Sequence, residues 1–405
     1  MRDLLRFVSG AVLLALGAVT ALPASNRTLW AANLAATEYG YWLALAAVFP
    51  LISTRGQTRV GRTGALLSLC AIPLLLLPIL RAHLLGADVQ RDFDARFGTE
   101  RRVRSNFSGD PRAQAFVLQE LIKPLDVPAI RFDQRPYATY GDEKLTLDIY
   151  HPGYVGDRAP AVIVISPPAA KQGDKEFMAL NAYLASRDYV VVSPEVRAAP
   201  RWRFPAQRDD VLMTIAYVQT HAIELGVDPT RIALIGRGEG AALALLAAYT
   251  ANEPAIRGVV SIYGLSDLRF EYDHPAPPSL RTTHATLEGY LGGSPARADD
   301  AYFAASPVNF VSATSPPTLL IHGLRDQTIH ADQSARLDDR LRQANVKHMY
   351  VGLPWATHGC DRSFDGPCGQ IVLYSVERFL DAVTVGLPPP PSAPARAAKS
   401  KLAKR

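Results

Sequence analysis

The chain is 405 residues long, 48% apolar and 20% charged, a composition that excludes intrinsic disorder, and its length allows two or three domains. Three cysteines exclude a mini-protein built on disulfides. The formal charge is +5, but residues 1–87 carry +5, residues 387–405 another +5, and residues 88–386 the balancing −5, so no nucleic-acid footprint lies on the middle of the chain and no nucleic-acid partner is expected.

The first 87 residues read as membrane. Phe7–Ala24 and Thr63–Leu80 are uncharged runs of 18 residues, near the ~20 that a bilayer-spanning helix needs. A shorter run, Tyr39–Thr54, is flanked by Tyr41 and Trp42. Two or three transmembrane helices are therefore expected, with the lipid bilayer as partner. Arg2 and Arg6 precede the first run, and Arg55, Arg59 and Arg62 precede the last, whereas the connection after the first run carries only Arg27. By the positive-inside rule the N-terminus lies inside and everything after Leu80 outside, on the periplasmic side of a bacterial-type inner membrane. The competing reading of residues 1–24 is a cleavable signal peptide, which exports the same downstream domain.

Residues 88–130 are charged and irregular and read as a juxtamembrane linker, with a helix expected around 113–122. From about 131 the texture changes. Strands are expected over 144–150, 161–166, 189–193, 231–236, 257–262, 317–322 and 347–351, and helices over 175–187, 206–225, 239–251, 331–343 and 369–384. Several of these strands are continuous apolar runs, as in a sheet buried on both faces by crossover helices. The expected class is α/β, with a mostly parallel sheet and helices on both faces, over 131–386. The segment 267–305 reads as a lid between strands. The Pro/Ala-rich, basic stretch 387–405 reads as a disordered tail.

In an open α/β sheet, ligands sit at the carboxyl ends of strands. Gly236-Arg237-Gly238-Glu239-Gly240 follows the strand 231–236, Gly323-Leu324-Arg325-Asp326 follows 317–322, and a loop reaching His358 follows 347–351. After 161–166 comes Pro167-Pro168-Ala169-Ala170, continuing to Gly173-Asp174-Lys175. With LTLDIYHP at 145–152, EVRAAPRWRFPAQRDDV at 195–211, LGVDPTRIALIGRGEGAALAL at 225–245, SPPTLLIHGLRD at 315–326 and ATHGCDRSFDGPCGQ at 356–370, the chain resembles the α/β-hydrolase fold. Within it, the chain is most similar to carboxylesterases related to hormone-sensitive lipase and to bacterial feruloyl esterases. The resemblance covers roughly 135–385, in the family's order of elbow, Asp and His.

The resemblance implies an esterase site holding a small acyl or ester ligand, without cofactor or metal, in which Asp326 orients His358. It also exposes two departures. The family's nucleophile elbow is G-x-S-x-G, and the serine position here is Gly238, which can form no acyl-enzyme. The family's oxyanion glycines align with Pro167 and Pro168 beside Ser166 and Ala169, and proline has no N–H to offer. Losing one oxyanion donor costs ~100- to 1,000-fold in rate, and losing the nucleophile on the order of 10⁶. The expected protein is a non-catalytic or severely impaired esterase relative, a pseudoenzyme. Two alternatives compete. One is an active ester hydrolase using Ser166 or a water activated by His358. The other is a dinucleotide-binding protein reading Gly236, Gly238 and Ala241 as G-x-G-x-x-A, for which the nearest strand-end acid is Asp267. His322 is expected to shape its turn rather than bind metal. Cys360 and Cys368 stand eight positions apart around a loop beside His358, and in an exported domain either a disulfide or two thiols stand there.

Overall fold

The computed structural model describes residues 2–52, 58–98, 112–123, 125, 127, 130–153, 158–168 and 175–384. The expected tail 387–405 lies outside them, as do Arg55, Ala169 and Gly173.

Four helices open the chain: α1 (Arg2–Val19), α2 (Arg27–Glu38), α3 (Gly40–Ile52) and α4 (Arg59–Phe97). The alternating region then runs β1 (Arg131–Tyr140), β2 (Glu143–His151), β3 (Ala159–Ile165), α5 (Lys175–Ser186), β4 (Val190–Pro194), α6 (Ala206–Thr220), α7 (Ala222–Leu225), β5 (Val227–Arg237), α8 (Glu239–Thr250) and β6 (Ile256–Ile262). The lid helices follow as α9 (Leu268–Asp273), α10 (Thr283–Leu291) and α11 (Pro295–Ala305), and then β7 (Thr318–Gly323), α12 (Asp332–Gln343), β8 (His348–Leu353) and α13 (Pro367–Thr384).

The strands form one eight-stranded sheet in the order β1-β2-β4-β3-β5-β6-β7-β8. β1, β2 and β4 pair antiparallel, and β4 to β8 are parallel. Every residue of β3, β6 and β7 is buried, which is why those segments read as mostly apolar. Alternate side chains feed two cores. Val162 and Val164 face a core that α4, α5 and α13 complete, with Phe93, Leu184 and Phe379. Ala161, Ile163 and Ile165 face a core completed by α6, α8 and α12, with Ile215, Leu245 and Leu341. The lid residues Leu268, Leu287 and Tyr302 pack with Ala242 and Ile329 over the carboxyl end of the sheet.

Two features correct the sequence expectation. The linker expected from 88 onward begins as helix, because α4 continues to Phe97 and packs Phe93 and Phe97 edge-on against Tyr374 and Phe379 of α13. The segment expected as a helix around 113–122 holds only a short 3-10 turn, Leu118–Leu121, tied down by the Val117 N–H donating to Gln370 Oε1 at 2.7 Å and by Tyr41 Oη donating to the Leu121 carbonyl at 2.8 Å.

Among the described residues α4 alone is long and apolar enough to cross a membrane, judged by length and composition. The run expected from Phe7 lies in α1, which carries Arg2, Asp3 and Arg6 and stops at Val19. The run from Tyr39 forms α3, whose 13 residues rise only about 20 Å. α1 packs on α4 through glycine. An added Cβ at Gly10 would lie 2.3 Å from the Gly64 carbonyl oxygen, and one at Gly64 would lie 2.5 Å from the Phe7 nitrogen. Gly64→Val is expected to force α1 and α4 apart at a cost of about 1–3 kcal/mol. Hydrogen exchange should speed up in α1 while the central strands keep their protection; unchanged α1 exchange would contradict the seam.

Candidate functional site

The site forms where β5, β7 and β8 end. β5 turns sharply into α8 through Gly238, held at φ 54° and ψ −120° with its N–H donating to the Ile262 carbonyl at 3.0 Å. The turn needs its flanking glycines. A Cβ at Gly236 would lie 2.4 Å from Ala241 Cα, and one at Gly240 would lie 2.3 Å from the Ile165 carbonyl oxygen. Position 238 itself is roomy. The nearest atoms to a Cβ there would be Ile329 Cδ1 at 3.8 Å and the His358 ring, 3.8 Å to Cε1 and 3.9 Å to Nε2.

Asp326 lies on the turn after β7 and is buried. Its Oδ1 accepts from the N–H groups of Thr328 (2.7 Å) and Ile329 (3.0 Å), and its Oδ2 lies 2.7 Å from His358 Nδ1. Burial pushes the Asp326 carboxyl up, but His358 and His322 beside it outweigh burial and hold it well below the usual carboxylate range. Asp326 is therefore an anion at neutral pH and fixes the orientation of the imidazole, leaving Nε2 toward position 238. The His358 ring also packs against Tyr263, with centroids 4.5 Å apart. His322 is occupied within its turn, its Nε2 donating to the Ile329 carbonyl at 3.0 Å and its Nδ1 2.7 Å from the Ser334 hydroxyl.

Sequence reasoning missed the layer beneath. Arg237, buried between two glycines, forms an ion pair with Asp361 at 2.6 Å, and Asp361 accepts from the Tyr263 hydroxyl at 2.8 Å. A buried arginine at a strand end demands a carboxylate, but its partner lies 124 residues away and periodicity cannot reveal it. The N-terminal helices also reach the site. Trp30 Nε1 donates to the His358 carbonyl at 3.1 Å, and the Arg362 guanidinium lies 5.1 Å from the Trp30 ring. Cys360 and Cys368 are joined by a disulfide, and the Cys368 N–H donates to the buried Glu38 carboxylate at 3.2 Å.

Of the oxyanion candidates, Ser166, Pro167 and Pro168 follow β3 and are half-buried, and Ala169 lies outside the described residues. No hydrogen bond between Ser166 and His358 occurs among the described residues. The Glu239 side chain turns from the elbow to Arg281, 2.7 Å away, and Arg281 reaches Glu271 at 2.6 Å. Asp267 caps α9 and pairs with Arg336 at 2.8 Å, so it is committed elsewhere than to a ribose. Beside Glu239 a cavity of about 350 Å³ opens between α8 and the lid, walled by Pro168, Leu243, Leu265, Leu287 and Tyr290.

The BD-FAE family matches residues 147–341. This match and the esterase relatives support an α/β-hydrolase carboxylesterase family for that part of the chain. It is 30% identical over 240 residues to the probable carboxylic ester hydrolase LipM of Mycobacterium tuberculosis, covering 56% of this chain and 54% of that protein. It is 29% identical over 270 residues to esterase LipC of the same organism, covering 62% and 66%. The matches thus span between half and two thirds of those relatives' length. Among solved structures, a bacterial heroin esterase superposes with a TM-score of 0.54 at 21% identity, over 64% of this chain and 86% of that one, a likeness of fold.

Within this α/β-hydrolase domain, Arg237→Ala leaves Asp361 buried and uncompensated and is expected to cost about 3–5 kcal/mol, whereas Arg237→Met with Asp361→Leu recovers most of the loss in thermal unfolding. Trp30→Phe removes one hydrogen bond to the histidine loop, worth about 0.5–1.5 kcal/mol. Amide exchange over 356–362 should quicken several-fold; exchange matching the unmodified chain would mean that the N-terminal helices do not hold the loop.

Proposed function

We propose that the protein is a membrane-anchored esterase relative that binds a small acyl or ester ligand without forming a serine acyl-enzyme. One observation carries this reading: the elbow that aims a serine at the histidine in this family aims a glycine here, with His358 and Asp326 still in hydrogen-bonded register. Pro167 and Pro168 support it, because neither has an N–H for a developing oxyanion. α4 supports the anchor, and the loop arginines support a hydrolase domain on the periplasmic side. The intact Asp326–His358 pair favours a second reading, slow hydrolysis by water that His358 deprotonates.

A fluorophosphonate probe should leave the unmodified chain unlabelled and should label Gly238→Ser, whose Cβ stands 3.9 Å from His358 Nε2. Against p-nitrophenyl acetate, Gly238→Ser should gain on the order of 10³-fold, and the further changes Pro167→Gly and Pro168→Gly another ~100-fold. Serine at this φ should cost about 1–3 kcal/mol of stability. Labelling of the unmodified chain would overturn the proposal. Turnover by the unmodified chain that disappears in His358→Ala, without labelling, would establish the water reading instead.

A further inference from the structure

The apolar helices stand beyond one end of the sheet, and it is the end that carries the site. Gly10 of α1 sits against Gly64 of α4 and Gly17 against Leu74, so the two helices run side by side in the same direction. α3 begins beside Leu75, where a Cβ on Gly40 would lie 2.6 Å from the Leu75 carbonyl oxygen, and its Ala44 and Ala47 share one buried cluster with Leu13 and Ala71. After Leu75, α4 passes along α13 until Arg96 donates to the carbonyl of His348, the first residue of β8, at 3.0 Å. The end of α4 thus lies at the amino edge of the sheet, and the stretch before Leu75 projects past the opposite, carboxyl edge.

The contacts at the foot of this bundle agree. The Thr20 carbonyl, just past α1, accepts from Arg325 on the turn after β7. Trp30 reaches the His358 carbonyl, and Glu38 reaches the Cys368 N–H. Tyr39 and Trp42 are exposed at the same level, the position that such side chains take at a bilayer interface. Away from the domain, Leu4, Val8, Leu45, Phe49, Leu66 and Leu69 lie exposed around the bundle, and apolar patches of this kind mark an interface. The 18 residues of α1 rise about 27 Å, close to the ~30 Å of a bilayer's hydrocarbon core. Lipid around the bundle therefore meets the domain on the edge that holds Gly238, His358 and the cavity. Ser279, whose hydroxyl donates to the Ser25 carbonyl at the foot of the bundle, is followed by Arg281, Thr282 and Thr286, which wall the cavity together with Leu243, Leu265 and Leu287. That wall offers apolar side chains to an acyl chain. It offers the threonine hydroxyls, and the N–H groups of Arg281 beyond those held by Glu239 and Glu271, to carbonyl or phosphate oxygens.

We infer that the site opens toward the membrane surface and takes its ligand, a lipid with an ester-linked acyl chain, laterally from the adjoining leaflet. The inference rests on the anchored, ligand-binding reading above and adds the class of the ligand and its route.

The test reconstitutes the full chain in phosphatidylcholine vesicles doped with a phosphatidylcholine that carries a diazirine midway along one acyl chain. After irradiation, adducts are mapped by mass spectrometry of the digested protein. They should fall on the outer faces of α1, α3 and α4 and, as a second set, on Leu243 and Leu287, which are buried in the cavity wall. Ala285→Trp, on the exposed rim of the cavity, should cut the second set about tenfold and leave the first unchanged. The same photolipid supplied in separate vesicles should leave the cavity unlabelled. Adducts on the bundle with none in the cavity overturn the inference and leave the anchor standing. Cavity adducts that survive Ala285→Trp, or that form equally from separate vesicles, overturn it as well. Absence of adducts from the bundle overturns the anchored reading and the inference with it. If Ala285→Trp fails to fold, the map of the unmodified chain and the separate vesicles still decide. Fluorophosphonate labelling would overturn the non-acylating reading alone, so the failures are distinguishable.

Discussion

The start of α8 lies against the ends of β3 and β5 more closely than any side chain permits. Gly236 and Gly240 are the points of contact, and Gly264 closes the third side, where a Cβ would lie 2.4 Å from Ala241 Cβ. This crossing decides the rest of the site. It holds residue 238 at a positive φ, turns that residue toward His358, and leaves Glu239 at the mouth of the cavity. A side chain at 238 is optional for the turn, whereas glycine at 236 and 240 is required. The fold can therefore lose the nucleophile and keep every surrounding contact. Asp326, fixed by two backbone N–H groups, keeps its hold on the imidazole without help from a serine.

Much of this was legible in the sequence, for a physical reason. Parallel strands buried on both faces are largely apolar, so β3 and the central stretches of β5, β6 and β7 announce themselves. The carboxyl ends of β5, β7 and β8 lead to Gly238, Asp326 and His358, and the family resemblance supplies their roles. β1 was missed because it is an edge strand. Its sequence RFDQRPYATY is mostly charged or polar and contains Pro136, and no residue of it is fully buried. The Arg237–Asp361 pair and the Trp30–His358 bond were illegible because they join residues 124 and 328 positions apart. The linker was misread because charge along 88–97 was taken to mean loose chain. Asp88, Arg91 and Asp92 lie on the exposed side of a helix whose other side carries Val89, Phe93 and Phe97, while Asp94 and Arg96 bond to Arg378 and to the His348 carbonyl.

The N-terminal helices form part of the site's surroundings. Besides Trp30, the Ser25 carbonyl accepts from the Ser279 hydroxyl on the lid side at 2.7 Å, and Thr20 contacts Arg325, the neighbour of Asp326. Arg378 of α13 meets Asp94 of α4 at 3.0 Å. Lid, acid turn and histidine loop each rest on a different piece of the first hundred residues.

If α4 anchors the chain as proposed above, its continuity sets how the domain meets its surroundings. A domain on a flexible linker samples many distances and tilts, and its encounter rate with a ligand follows the volume that it sweeps. Here 39 residues of one helix, about 58 Å, run from the apolar segment into the packing of α13. The domain has almost no sweep to exploit. Its cavity mouth keeps a constant bearing with respect to α4, so under the anchored reading proposed above access is set by lateral position and angle rather than by reach.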